Sequence, residues 1–178
     1  MDETLLKNNS EWKTAAKAIS IILIAAYFVS CAANRSGYYF FDSVDLAIHE
    51  AGHVFFSPFG EFLQFAGGTI FQLSVPLAFV IYFWKRKELY SASIVSFWLG
   101  QSFTNAGRYA GDAIKMELPL VGGGIHDWNY LLSRIGALPY TEQIGNTFYY
   151  LGVAIIAASI IVGILSFAKS STGKNKNY

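Results

Sequence analysis

Two histidines and a glutamate at fixed spacing, His49-Glu50-Ala51-Gly52-His53, are the residues of this chain best suited to chemistry. On a helix, positions i and i+4 share a face, so both imidazoles can reach one metal ion. Glu50 then lies beside the ion, where a carboxylate can take a proton from water. Water alone is far too weak an acid to supply hydroxide at neutral pH, and a bound zinc brings its pKa to roughly 7. The H-E-x-x-H pattern therefore predicts a hydrolytic Zn2+ site with His49 and His53 as ligands and Glu50 as general base. The flanking residues, Val44, Leu46, Ala47 and Ile48 before it and Val54, Phe55 and Phe56 after it, are apolar and helix-compatible, and Gly52 leaves room near the ion.

A catalytic zinc takes three protein ligands and keeps one position open. The third histidine, His126, ranks first for the remaining place, Asp112 second and Asp127 third. Asp45, one turn before His49, can orient that imidazole through its other ring nitrogen, or, like Asp42, cap the start of the helix. Asn105 is a candidate to hold an oxyanion.

These residues must be held by a protein that is 53% hydrophobic and only 14% charged over 178 residues. Soluble domains carry about 25% charged residues, so one all-α domain in a membrane is expected over residues 1–168, followed by a polar, disordered tail at 169–178. A net charge of +1 gives no sign of a nucleic-acid partner, and the single cysteine, Cys31, excludes an internal disulfide framework and a Cys-type zinc site. Four stretches are candidates for spans of roughly 20 residues: about 18–33, extended through Lys17 by snorkelling; 65–84; the less apolar 92–111; and 147–168. No A-x-A-like cleavage site follows the first stretch, which argues against a removed signal peptide. Phe28-Val29-Ser30-Cys31 has a faint likeness to a lipoprotein cleavage box, for which Phe28 is a poor fit.

Three basic clusters set the expected orientation: Lys7, Lys13 and Lys17; Lys85, Arg86 and Lys87; Lys169, Lys174 and Lys176. Placing all three in the cytoplasm requires four spans with both termini inside, as in an integral protein of a bacterial inner membrane. The segment 41–59 that carries the motif must then start and finish on the outer side, as a re-entrant or interfacial helix.

Polar residues inside the third stretch are costly and so informative. Gln101, Asn105, Arg108 and Asp112 fall at i, i+4, i+7 and i+11, on one helix face that should look toward protein or a water-filled cavity. Arg108 and Asp112 can pair locally or act at the site, Arg108 toward substrate. The loop that follows, Leu118 to Trp128, holds three glycines. Asp127 is a good N-cap for a helix over 128–138 closed by Pro139, with His126 just outside it.

At these residues the chain resembles the site-2 protease-like integral membrane zinc metallopeptidases. The resemblance covers about residues 43–113. It is carried by His49-Glu50-Ala51-Gly52-His53 in an apolar helix, then by a span with Gly67-Gly68, Gln72 and Pro76, then by a span with Asn105 and Asp112. It implies two histidines and a downstream aspartate on zinc, with the glutamate as base. The family's aspartate usually stands in an Asn-Pro…Asp-Gly context, and here the nearest match is Asn105…Asp112-Ala113, without the proline or the glycine. That departure keeps the third ligand open and leaves room for a distinct branch using the His126-Asp127-Trp128 loop. The expected activity is hydrolysis of peptide bonds in or near the bilayer, on a membrane-protein or peptide substrate. A lipid or other amide as substrate, or a non-catalytic zinc-binding scaffold, are the alternatives.

Overall fold

In the segment Phe40–Phe56, Asp42, Asp45, His49 and Gly52 recur at intervals of three and four residues, so a helix must place them together. In the computed structural model, which describes residues 3–121 and 124–172, they do form the buried face of one helix. The described residues hold six α-helices: α1 (Glu3–Ala33), α2 (Phe40–Phe56), α3 (Glu61–Lys85), α4 (Leu89–Gly111), α5 (Asp127–Arg134) and α6 (Thr141–Thr172), with one-turn 3-10 segments at Ser57–Phe59 and Leu138–Tyr140. No strand occurs among the described residues. Residues 169–172, expected in the tail, continue α6, while 173–178 and the loop glycines Gly122 and Gly123 lie outside the described residues.

Among the described residues three helices, against the four expected, are long and apolar enough to cross a membrane: Trp12–Ala33, Glu61–Lys85 and Leu138–Ser166. Their outward faces carry Ile22, Leu23, Phe79, Ile81, Ile161 and Ile164, all exposed. The exception is α4. It is long enough, but its serines, Gln101, Asn105 and Arg108 lower its apolar content, and it buries Phe97, Gly100, Gln101, Ser102 and Gly107 among the other helices. Its apolar part joins a core of Ile21, Phe28, Phe97 and Ile156, where the Phe28 and Phe97 rings stack at 5.8 Å.

Glycines decide how closely α4 meets α6. A Cβ on Gly107 would come within 2.7 Å of the Gly145 carbonyl oxygen, and one on Gly100 within 2.8 Å of the Gly152 oxygen. The two helices thus touch backbone to backbone along a seam repeated every seven residues, the small-residue packing that suits helices within lipid.

The contacts also order the ends of the bundle. Midway along α1, near the start of its apolar part, Lys17 lies 5.3 Å from the Tyr90 ring and Ser20 hydrogen-bonds the Tyr90 hydroxyl. At the opposite end Arg35 sits 3.6 Å over the Tyr149 ring near the start of α6.

Helix α5 is shorter than expected and starts one residue earlier. His126, not Asp127, is its N-cap: the His126 Nδ1 accepts from the Asn129 N–H at 3.3 Å. The helix closes at Arg134 because Gly136 adopts a left-handed φ of 69°, and the Ala137 N–H returns to the Leu132 carbonyl at 2.7 Å, a Schellman end. Pro139 belongs to the next turn.

Candidate metal centre

The start of α5 decides the site. With His126 as cap, Asp127 is the first helical residue and its carboxylate is free to reach across the bundle. Its Oδ2 lies 2.8 Å from His49 Nε2 and 3.2 Å from His53 Nε2. The metal-ligating atoms of His49, His53 and Asp127 fall within 4.8 Å of one another. The structure therefore brings together the two motif histidines and the aspartate that ranked last of the three candidates for the third place.

The other two candidates are elsewhere. His126 is 2% exposed, and its Nε2 lies 3.5 Å from Asp112 Oδ2 while its ring packs on Tyr109 at 4.3 Å. Burial pushes the His126 imidazole pKa down against the pull of Asp112. Asp112 accepts the backbone N–H groups of Glu117 and Leu118 at 3.1 and 2.9 Å, and so folds the loop back instead of pairing with Arg108.

Hydrogen-bond roles in the group are fixed from outside it. The His53 Nδ1 lies 2.8 Å from the Gln64 carbonyl oxygen, which only accepts, so Nδ1 carries the hydrogen. The His49 Nδ1 lies 3.1 Å from Gln72 Oε1, and Gln72 Nε2 donates to Asn105 Oδ1 at 2.9 Å and to the Ser102 carbonyl at 3.4 Å. The Ser102 carbonyl fixes which end of the Gln72 amide is the donor, so His49 too holds its hydrogen on Nδ1. Both Nε2 lone pairs then face a carboxylate oxygen. Three acceptors at this range need a cation between them, either protons or a metal ion, and two imidazoles with one carboxylate form a set that suits zinc. Without a metal, a proton on His53 can serve. The hydrogen bond to Asp127 raises the His53 pKa to about 9 against the effect of burial. Burial alone would raise the Asp127 pKa, but the hydrogen bonds from His49 and His53 outweigh it and bring it to about 2.

The residue that orients His49 is thus Gln72, and Asp45 does not touch that ring. Asp45 is fully buried and accepts from Trp98 Nε1 at 2.8 Å and Ser102 Oγ at 2.9 Å, while burial lifts its pKa to about 7. Asn105 is engaged at both ends, accepting from Gln72 and donating to Asp42 Oδ1 at 2.8 Å, so it steadies the Gln72 amide and is not placed as an oxyanion donor. Asp42 also accepts from the Tyr39 N–H at 2.7 Å, as a capping residue does, and from Gln101 Nε2 at 2.6 Å. The polar stripe of α4 is thereby accounted for: Gln101 and Asn105 bind Asp42, and Arg108 lies 3.9 Å from it.

Gly68 and Tyr109 were not singled out from the sequence as site-forming. A Cβ on Gly68 would collide with His49 Nε2, and one on Gly52 with the Gly67 carbonyl, so these glycines let α2 and α3 close around the imidazole. The Tyr109 hydroxyl accepts the Asp127 N–H and donates to its Oδ2, each at 3.2 Å, which holds the carboxylate toward the histidines. A tyrosine one position beyond the polar stripe was the available signal.

Glu50 stands apart from the group. It is exposed and has no hydrogen bond among the described residues. It lines two adjoining clefts, one walled by His49, Gln72, Asn105, Arg108 and Leu118–Val121, the other by His53, Gln64, Phe65, Ile125 and Asp127. Fold and site together define an all-helical, membrane-compatible protein with a histidine–histidine–aspartate group open to two clefts. Comparison with family models, with curated proteins and with solved structures gives no match for the chain.

Proposed function

We propose that this chain is a membrane-embedded zinc-dependent endopeptidase that hydrolyses peptide bonds in or near the bilayer. The observation that carries the reading is the convergence of His49 Nε2, His53 Nε2 and Asp127 Oδ2, with Glu50 lining both of the clefts that these residues border. Two histidines and a downstream aspartate are also the set implied by the resemblance to site-2 protease-like enzymes, with Asp127 in place of Asp112.

In this reading His49, His53 and Asp127 hold the ion. Zinc supplies Lewis acidity, lowering the pKa of water toward 7 and polarising a carbonyl. Glu50 accepts the proton of the attacking water and delivers it to the leaving amine. Gln72 and the Gln64 carbonyl keep both Nε2 lone pairs turned inward, and Tyr109 keeps the carboxylate in place. Leu118–Val121 line the first cleft, and Leu120 and Val121 also line the second.

Helix α4 crosses the bilayer as a fourth span under this reading. Its polar face is turned to Asp42 on α2, away from lipid, which avoids the ~2.5–3.5 kcal/mol that an exposed mid-bilayer charge costs on insertion scales. The end bearing Lys17 and Lys85–Lys87 is cytoplasmic by the positive-inside rule. The site, toward the other end of α4, faces the outer side, and α2 enters from there without crossing.

The test is Glu50→Gln in detergent-solubilised protein, with zinc content measured beside cleavage of a library of membrane-segment peptides. The variant keeps one zinc per chain and loses at least about 100-fold in turnover. Undiminished cleavage by the variant overturns the assignment.

A further inference from the structure

Arg108 is the one cationic side chain lining the first cleft among the described residues. Its side chain is 17% exposed, and its nearest anion is Asp42 at 3.9 Å, beyond hydrogen-bond range. Asp42 is already satisfied by Tyr39, Gln101 and Asn105. The guanidinium therefore balances the Asp42 charge through space and makes no hydrogen bond among the described residues, keeping five N–H donors in a planar fork. It lines the same cleft as His49 and Glu50, whose remaining walls include Leu46, Leu118, Pro119 and Leu120. Unpaired donors in a largely apolar recess favour an acceptor that can take two parallel N–H bonds, and a carboxylate is such an acceptor. The recess measures about 140 Å³, side-chain size, and the second cleft continues on the other side of Glu50. A chain passing through both clefts thus offers a side chain to Arg108, not its end.

We propose that Arg108 is a specificity residue that binds the carboxylate of an aspartate or glutamate side chain next to the bond to be cut. This rests on the endopeptidase reading above. The test uses the full chain in detergent, zinc-loaded, with two acetyl-dipeptide hydroxamates identical except for a glutamate or a glutamine side chain. Wild type binds the glutamate probe at least about tenfold more tightly, as a charge-assisted pair should. Arg108→Gln brings the two probes within about twofold of each other and leaves the glutamine probe unchanged. Arg108→Lys keeps the charge facing Asp42 but loses the fork, and reduces the preference at least about threefold; it carries the test where Arg108→Gln takes up no zinc. Equal binding of the two probes by zinc-loaded wild type, or a preference that survives both substitutions, overturns the role of Arg108 while leaving the peptidase reading standing. Failure of wild type to take up zinc, or of both probes to bind, overturns that reading and this inference with it.

Discussion

Helix α4 is packed by two kinds of physics on its two sides. Toward α6 it is a glycine seam, where Gly100 and Gly107 meet Gly152 and Gly145 with no room for a methyl group. Toward α2 and α3 it is a hydrogen-bonded face, where Gln101, Ser102 and Asn105 meet Asp42, Asp45 and Gln72. The seam is indifferent to chemistry and intolerant of volume. The polar face tolerates volume only where the pattern of donors and acceptors survives, and that pattern runs through Gln72 to the His49 ring. One side holds the helix; the other aims the site. Substitutions on the two sides should therefore fail in different ways.

The largest effect belongs to the site itself. Asp127→Ala removes one of three proposed ligands and lowers zinc affinity by several orders of magnitude, because two protein ligands hold such an ion poorly. His126→Ala and Asp112→Ala lower it only about 10–100-fold, through the loop and the Tyr109 ring. Competition with a zinc-chelating dye separates the three. Comparable losses in all of them would dissolve the distinction between ligand and support.

The polar face comes next. Gln72→Leu leaves the His49 Nδ1–H without its acceptor and lowers zinc affinity about 10–100-fold, with a melting temperature that moves less than for a seam variant. Gly68→Ala acts on the same ring by volume and also shows first in zinc affinity. On the seam, Gly107→Ala costs about 1–3 kcal/mol through overpacking and leaves the zinc affinity of the folded fraction unchanged. If Gly107→Ala lost zinc without losing stability, the two sides of α4 would not be separable.

How much of this was legible in the sequence follows the same division. Local spacing was readable: an i, i+4 pair of histidines fixes its own geometry, and the polar stripe on α4 is a matter of helical period. Partners across the bundle were not. A local pair of Arg108 and Asp112 was one of two readings open from their spacing on one helix, whereas Asp112 turned to the loop backbone and Arg108 toward Asp42. The third ligand turned on a single residue of register. His126 and Asp127 are both competent caps, and only the contact of His126 with Asn129 settles which one is left free to point inward. Gln72 stood out as a polar residue in an apolar span, but its role depends on Ser102 and Asn105, which are 30 and 33 residues away. Of the four stretches read as spans, α4 has a span's length without its composition, so three among the described residues pass on both.

A smaller effect is the dependence on pH. His53 has its pKa raised from 6.5 to about 9 by Asp127. In the metal-free protein the stability from this pair is therefore fully present below pH 6.5 and is lost as pH rises through about 9. Asp127, held at about 2 instead of 3.8, contributes stability that is present above 3.8 and disappears as pH falls through about 2. Zinc must displace the His53 proton, so zinc affinity rises about tenfold per pH unit from 7 toward 9 on this account. The melting temperature of metal-free protein falls over the same range while that of zinc-loaded protein does not. Parallel melting curves for the two forms would mean that the ion and the proton do not share this place.

In the proposed centre Asp127, and not His126, completes the group with His49 and His53. Zinc K-edge X-ray absorption on zinc-loaded protein, wild type beside His126→Ala, tests it most directly. Two imidazole nitrogens at about 2.0–2.1 Å and oxygen ligands at about 2.0–2.2 Å are expected, in spectra that are the same for both proteins. Three imidazoles in wild type, reduced to two by His126→Ala, would contradict it.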